Sequence, residues 1–565
     1  MKSADRDDEL FATHPDPVDF TEGHRIEPLI GGQATFAAIE RAIEEASRSI
    51  HMAYWTLDPA LKTTKNIKAE TLTDLLREVV KRGVELRIVI ADFDPVIGST
   101  FHLDAWNSYR KLSRITEGLD KDATNRLSVM CSRHDTRWGP VARAAAQPIL
   151  RFKLAEKIAE INEIEPLKER RDAIANAPGL WPFITFDGKS AKVRKNAFPG
   201  FYPAAHHEKL CVIDDRIVFL GGLDINAKRQ DDWDHDNAFP WHDVACRLEG
   251  PVARFFASHF RSRWNEERED SLAFMKNAMP PDSIAPLPDG IGIPKLDTEV
   301  AECPAIEDGV EVKPLRTLSR QNRAWFSRSP RKQIMEIKDA YLDVISKAED
   351  FLYIENQYIR STPIAKALAD RATANKKLEL ILVLPLIPED AFVEEEPNIA
   401  TRHGQYLREK NTDLLYDAFG KRIGIYSMQM PRDDILPDPE KDDADDIIKN
   451  TIYIHAKTLV CDDKTAIIGS ANLNERSLVT DTETAIVWRD LAGTRVRDYR
   501  VLLWQHALDM DTSDWTSDHL SQWNRIAKAN AKGDADERQG FIVTFPRRHL
   551  DAHARRSWLV PDELV

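Results

Sequence analysis

Two short segments of this 565-residue chain carry groups whose types and spacing suit reaction chemistry. One is His207-Glu208-Lys209-Leu210-Cys211-Val212-Ile213-Asp214. The other is His455-Ala456-Lys457-Thr458-Leu459-Val460-Cys461-Asp462, and both read H-x-K-x-x-x-x-D. Fourteen residues after each His comes a small pair, Gly221-Gly222 or Gly469-Ser470. Seventeen after comes Asp224 or Asn472, and nineteen after comes Asn226 or Asn474. A lone match of this kind is weak evidence, whereas two copies with matched downstream residues are strong evidence. Imidazole exchanges protons near neutral pH, and ammonium holds anionic oxygens. Two such sets meeting across a pseudo-twofold axis make one site with two imidazoles and two ammonium groups, which suits phosphodiester cleavage. One imidazole would attack phosphorus and the other would protonate the leaving oxygen. Lys209, Lys457 and Asn472 would hold the non-bridging oxygens. The near-symmetry of the sets leaves open which histidine attacks.

Carboxylates extend the pattern. Asp243 and Glu483 each head the strand-like run that follows a motif hairpin, where a carboxylate can accept the second ring N–H of an imidazole. Asp214 and Asp462 are expected to brace the hairpins without touching substrate, with Asp224, Asn474 and Ser470 in supporting positions. His206, His207, Glu208, His235 and Asp236 are of metal-ligand type. However, the lysine two residues after each motif histidine would repel a cation, so no metal is assigned. No G-x-S-x-G element or phosphate-binding glycine loop is present.

These groups must be carried by strands. Lys209, Cys211 and Ile213 alternate with Leu210, Val212 and Asp214, so His and Lys two apart share one face. Asp214-Asp215-Arg216 and Asp462-Asp463-Lys464 read as hairpin turns. Upstream, Phe36, Ile39, Ile43 and Ala46 mark one helix. Ile334, Ile337, Tyr341, Val344, Ile345 and Ala348 mark its counterpart. Each leads to a strand (50–55, 351–358), a helix (near 71–82, 363–375) and a second apolar strand (86–90, 378–384). The repeat is therefore structural as well as chemical, and its near-continuous apolar strands fit a sheet covered by helices on both faces. The fold class expected is α/β, with two halves, each a mixed sheet between helices. Boundaries are expected at 1–30 for an extension, 31–279 for the first half, 280–325 for a linker, 326–510 for the second half and 511–565 for a tail that packs back. Residues 149–178 read as a helical insertion without counterpart.

A net charge of −15 weighs against sequence-independent nucleic-acid binding. Five cysteines, odd in number and without a C-x-x-C pair, give no disulfide framework. No apolar run approaches the roughly 18–20 residues of a membrane span, and the polar N-terminus lacks a signal-peptide core. The expected location is cytoplasmic, or outside by a route independent of such a signal. The acidic stretch 433–446 reads as a solvated charge run; Ca²⁺ there is compatible with the chemistry but not required by it.

The paired motifs, with Trp241-His242-Asp243-Val244, Ile354-Glu355-Asn356-Gln357-Tyr358 and Ile468-Gly469-Ser470-Ala471-Asn472-Leu473-Asn474-Glu475-Arg476-Ser477, resemble the phospholipase D superfamily. The eukaryotic-type branch is the nearest in pattern, and Asp224 in place of the usual Asn fits it. The resemblance runs from about residue 30 to about 510. It implies two halves about a pseudo-twofold axis with the active site between them, His207 as nucleophile and His455 as acid/base. It also implies a glycerophospholipid substrate such as phosphatidylcholine, reached by peripheral contact with a membrane, with phosphatidic acid and a free headgroup alcohol as products. Transfer to an alcohol is a further expected outcome. Trp233, Trp241, Gln357 and Tyr453 are expected to line a headgroup pocket. Other implied readings are a nuclease, a cardiolipin-synthase-like transferase, or a lipase delivered into rival bacteria.

Overall fold

The computed structural model describes residues 14–565 except 66, 238, 288–291, 387–397, 432–450, 491–493, 533–536, 546–553 and 558–559. The acidic stretch 433–446 lies outside the described residues.

The repeat becomes two mixed sheets, each built on the same seven-strand arrangement. In the first half the strands are β1 (Thr21–Ile30), β2 (Ser49–Tyr54), β3 (Glu85–Asp92), β4 (Leu127–Arg133), β5 (Leu210–Ile213), β6 (Ile217–Gly221) and β7 (Val244–Glu249). Their order across the sheet is β4-β3-β2-β5-β6-β7-β1. The second half supplies β8 (Val310–Arg320), β9 (Phe351–Asn356), β10 (Glu379–Val383), β11 (Ile423–Gln429), β12 (Lys457–Cys461), β13 (Thr465–Gly469) and β14 (Glu483–Arg489). Their order, β11-β10-β9-β12-β13-β14-β8, is the same topology again. β1 pairs antiparallel with β8 and joins the sheets at their edges.

Strand alternation distributes apolar side chains to both faces. Along β5, Leu210 and Val212 enter a core shared by the two halves, while Cys211 and Ile213 enter the outer core of the first half. Along β12, Val460 faces the shared core and Leu459 and Cys461 face the outer core of the second half. The shared core also takes Phe255, Phe256, Phe260 and Trp264 of helix α1 (Val252–Asn277) and Leu503 and Trp504 of helix α2 (Thr494–Leu508). Burying one such large side chain stabilises by about 1.5–3 kcal/mol, so separating the halves would forfeit many such contributions.

Several expected boundaries shift. β1 and β8 fall in the segments expected to be extension and linker, yet each completes a sheet. Ile334 belongs to the short strand Arg331–Met335, and the helix begins at Glu336. The insertion is helical, over Pro140–Glu163 and Leu167–Ala175. The tail contributes Ile542–Thr544 as a strand beside β11, and Leu520 and Trp523 of the helix His519–Asn530 enter the shared core. All five cysteines are free thiols. Among the described residues no helix is long and apolar enough to cross a membrane.

Candidate active site

Both motif hairpins turn at aspartates held at positive φ: Asp214 (54°) and Asp215 (59°), and Asp462 (53°) and Asp463 (56°). Asp tolerates this left-handed conformation better than most residues. The Asp214 carboxylate accepts the backbone N–H of Ser47, Arg48 and Ser49 at 2.9, 2.7 and 2.9 Å. Asp462 accepts those of Glu349, Asp350 and Phe351 at 2.7, 2.8 and 2.8 Å. Each aspartate thus ties its hairpin to the chain entering the neighbouring strand, as a brace remote from the imidazoles.

At the opposite ends of β5 and β12 the halves exchange contacts. The His207 N–H donates to the Thr482 carbonyl, and the His455 N–H to the His242 carbonyl, both at 2.8 Å. Tyr453 and Ile454 pair with Trp241 and His242. Side chains cross the axis as well. Nδ1 of His207 lies 3.0 Å from Oε2 of Glu483. Nδ1 of His455 lies 2.6 Å from Oδ2 of Asp243. The sequence reading placed each carboxylate on the strand following its own motif; the structure assigns each imidazole the carboxylate of the other half. The reason is geometric: each histidine precedes its strand and reaches across the interface, where the facing half presents the head of β14 or the residue before β7. With the proton on Nδ1, both Nε2 atoms keep their lone pairs.

Lys209 pairs with Asp224 (3.3 Å) and donates to the His207 carbonyl (3.0 Å). Lys457 donates to the His455 carbonyl and to Oε1 of Gln357 (3.4 Å). Asp224 also accepts the Thr56 N–H at 3.0 Å, so it supports Lys209 from behind. The Ser470 hydroxyl donates to Glu483 (2.5 Å). The equivalent position in the first half is Gly222, where a Cβ would come within 2.1 Å of the Asp243 carboxylate, so only glycine fits. Asn474 caps the helix Glu475–Val479 through the Ser477 N–H (2.9 Å). Asn472 is buried, with its side-chain oxygen unpaired among the described residues.

The expected aromatic wall is only partly assembled. Trp241 lies 4.5 Å from Tyr453 and 5.2 Å from His455 between ring centroids. Gln357 donates to the Tyr453 hydroxyl (2.9 Å). But the Arg229 guanidinium covers the Trp241 ring at 3.3 Å, so that face does not await a second cation. Trp233 packs its ring edge-on against His506, 4.8 Å between centroids, and no contact with a motif residue is among its ring contacts. Trp55 stands nearer: its ring centroid is 4.7 Å from that of His207 and 5.5 Å from the Lys209 ammonium. The pairings of β2 with β5 and of β9 with β12 make Trp55 the counterpart of Gln357. Extending the repeat by register would have found it. Asp481 was also missed; it accepts the Ala205 N–H (2.8 Å) and pairs with Arg476 (2.9 Å), fixing the chain before His207.

Burial dominates the electrostatics. It pushes the Glu483 carboxyl up to about 7 against the pull of Lys209, and the Asp243 carboxyl up to about 6 against Lys457. Burial also lowers Lys457 to about 7 while Asp243 pulls it upward. His207 and His455 are held well below the ordinary imidazole value by burial, then by the adjacent Lys209 and Lys457 respectively. Both rings are therefore neutral at rest, in a site with concentrated positive charge. His207 keeps 12% side-chain exposure. A cavity of about 850 Å³ is lined by His206 and Thr482, the neighbours of His207 and Glu483, and by neither motif histidine.

Two like α/β halves share one cluster of two imidazoles and two ammonium groups, an arrangement whose charge and hydrogen-bonding groups suit a phosphate-like anion. Two overlapping stretches of the chain match family models of the phospholipase D superfamily. Residues 236–384 match the family model described as phospholipase D. Residues 341–498 match that described as cardiolipin synthase, PLD-like domain. Phospholipase D1 of Saccharomyces cerevisiae is 29% identical over 359 residues, covering 51% of this chain and 20% of that protein. Phospholipase D alpha 2 of Arabidopsis thaliana is 27% identical over 412 residues, covering 54% and 49%. Yeast and plant relatives fit the eukaryotic-type branch, and the chain spans about half or less of their length. A solved phosphatidylserine synthase of Haemophilus influenzae aligns over 88% of this chain and 90% of its own, at TM-score 0.47 and 15% identity.

Proposed function

We propose that this chain hydrolyses glycerophospholipids at the headgroup phosphodiester, through a phosphohistidine, at a membrane surface. The observation that carries the reading is the crossed pairing of His207 with Glu483 and His455 with Asp243, which turns two distant motifs into one acid–base pair. Lys209 and Lys457 receive the phosphate anion. That anion offsets the positive charge depressing the imidazoles and so raises His455 toward its protonated form. Nε2 of His207 attacks phosphorus, the bond from phosphorus to the headgroup oxygen breaks, and His455 gives that oxygen its proton. His455 then takes a proton from water, the resulting hydroxide attacks phosphorus, and the bond from phosphorus to nitrogen breaks. An alcohol in place of water gives transfer. Glu483 and Asp243 stabilise each imidazolium as it forms.

The test is mass spectrometry of phosphatidylcholine vesicles incubated with purified protein, with plasmid DNA assayed in parallel. Phosphatidic acid and choline are expected, and both should vanish with His207→Asn and with His455→Asn. Labelled phosphate is expected to be trapped on protein in His455→Asn and not in His207→Asn. Cleavage of DNA alone would replace the lipid reading with the nuclease one. Label retained in both variants would remove both histidines as nucleophile.

A further inference from the structure

Behind the His455 carboxylate lies a second histidine cluster that the proposed reaction does not use. His235 precedes the short strand Trp241–His242, His242 adjoins Asp243, and His506 lies on α2. All three are 0–1% exposed. Each keeps one ring nitrogen without a hydrogen-bond partner among the described residues: Nε2 of His235, Nδ1 of His242 and Nδ1 of His506. The three side chains offer ring nitrogens within 4.8 Å of one another.

The other ring nitrogens are all engaged. Nδ1 of His235 is 2.6 Å from Asp231, and Nε2 of His242 is 2.7 Å from Glu355. His506 bonds to the Trp233 backbone. Asp231 is itself fixed, accepting the Trp241 N–H at 2.6 Å and the Asn237 amide at 2.8 Å. The Tyr353 hydroxyl donates to Glu355 at 2.5 Å.

We propose that His235, His242 and His506 bind one Zn²⁺ ion. Three imidazoles from two chain segments, His235 and His242 on one and His506 on α2, are a borderline-soft donor set that suits this metal. Carboxylates behind two of the rings fix the free nitrogen as the donor, in the manner of outer-shell partners of metal-bound histidine. Two buried carboxylates also balance a dication. A hydrophobic contact alone would leave three buried ring nitrogens unsatisfied, an unfavourable arrangement that packing does not remedy. The ammonium groups that exclude a metal from the phosphate site belong to the motif strands, and none is among the partners of this cluster. The ion would tie α2 to the Asp231–His242 segment, and so fix the residue before Asp243. It is a positioning device outside the reacting atoms.

The full chain, loaded with Zn²⁺ and dialysed against metal-free buffer, should retain about one zinc per chain by elemental mass spectrometry. His235→Ala and His506→Ala should each lower retention at least tenfold, while His207→Asn should retain it. Zn²⁺ should raise the Tm of wild type and leave that of His506→Ala unchanged. Co²⁺ loaded into wild type, which needs no variant to fold, should show the visible ligand-field bands of a nitrogen-ligated site. A wild-type chain that keeps no zinc and gives no such bands overturns the proposal, as does unchanged retention in a folded His506→Ala. No readout depends on phosphodiester turnover, so failure here and failure of the proposed function are separate outcomes.

Discussion

At the scale of single residues, the two carboxylates that face the imidazoles are held in an unfavourable state. Burial raises Glu483 to about 7, above its ordinary 4.5. The unfolded chain loses this proton near 4.5 and the folded chain near 7. Glu483 therefore destabilises the fold progressively as pH rises between those values, and its cost is constant above. Glu483→Gln should remove that segment, so the stability difference between variant and wild type should shift in the variant's favour from pH 4.5 to 7. A series of urea melts would check it, and parallel curves would refute it. The same variant should lose activity, because an amide cannot balance an imidazolium. The expected fall in kcat is roughly 100-fold or more, read with a soluble short-chain phospholipid. Sequence made His207, Lys209, His455 and Lys457 legible because identical offsets in two copies have no simple packing explanation. It did not reveal which carboxylate serves which histidine, since spacing along a chain carries no information about which half faces which. Trp233 and Trp241 attracted attention by proximity in sequence. Trp55, far from either motif, was visible only through strand register.

At the scale of elements, the hairpins depend on their turn aspartates. Asp462 combines a φ of 53° with acceptance of three backbone N–H groups. Alanine would remove the acceptor of three N–H groups, of which that of Phe351 is partly buried, and would hold a left-handed backbone without local side-chain bonding. The expected loss is about 2–4 kcal/mol. Asp462→Asn, which tolerates the same φ, should lose less. Denaturant midpoints would rank the three proteins, and equal stability of Asp462→Ala would refute the bracing role. Both variants should keep kcat when assayed well below their Tm, because the turn lies at the far end of β12 from His455. The motif strands were legible from period-two alternation and doubled turn signals. The helix start near Ile334 was not, because an apolar residue ending the Arg331–Met335 strand continues the helical pattern into α-helical sequence. β1 and β8 were missed for a related reason: as strands joining two sheets, they read as connections until their partners are known.

At the scale of the whole molecule, an overall charge of −15 gives no general attraction to anionic lipid, so the bilayer contact that the proposed function calls for would rest on a local surface, and an apolar one is the natural candidate. One such surface connects to His207 through ring contacts. Phe101 and Ile97 are 44% and 48% exposed. Phe101 contacts both Trp55 and Phe93, Phe93 contacts Trp55, and Trp55 reaches His207. Trp325 and Phe326, 71% and 75% exposed, sit on a loop bonded to the start of the Pro140–Glu163 helix. That helix is joined in turn, through Trp138 and Phe201, to the segment leading into His207. Partial insertion of an exposed aromatic ring contributes on the order of 1–2 kcal/mol, within the scale of burying such a side chain. Phe101→Ser and Trp325→Ser should thus each weaken vesicle binding by roughly tenfold, since about 1.4 kcal/mol is a factor of ten. Turnover of a monomeric short-chain phospholipid should remain within about twofold, because the rings that contact His207 are untouched. Equal losses on vesicles and on monomers would place these residues in substrate binding and leave the chain without a membrane-facing surface. An unchanged rate on both would show that neither ring meets the bilayer.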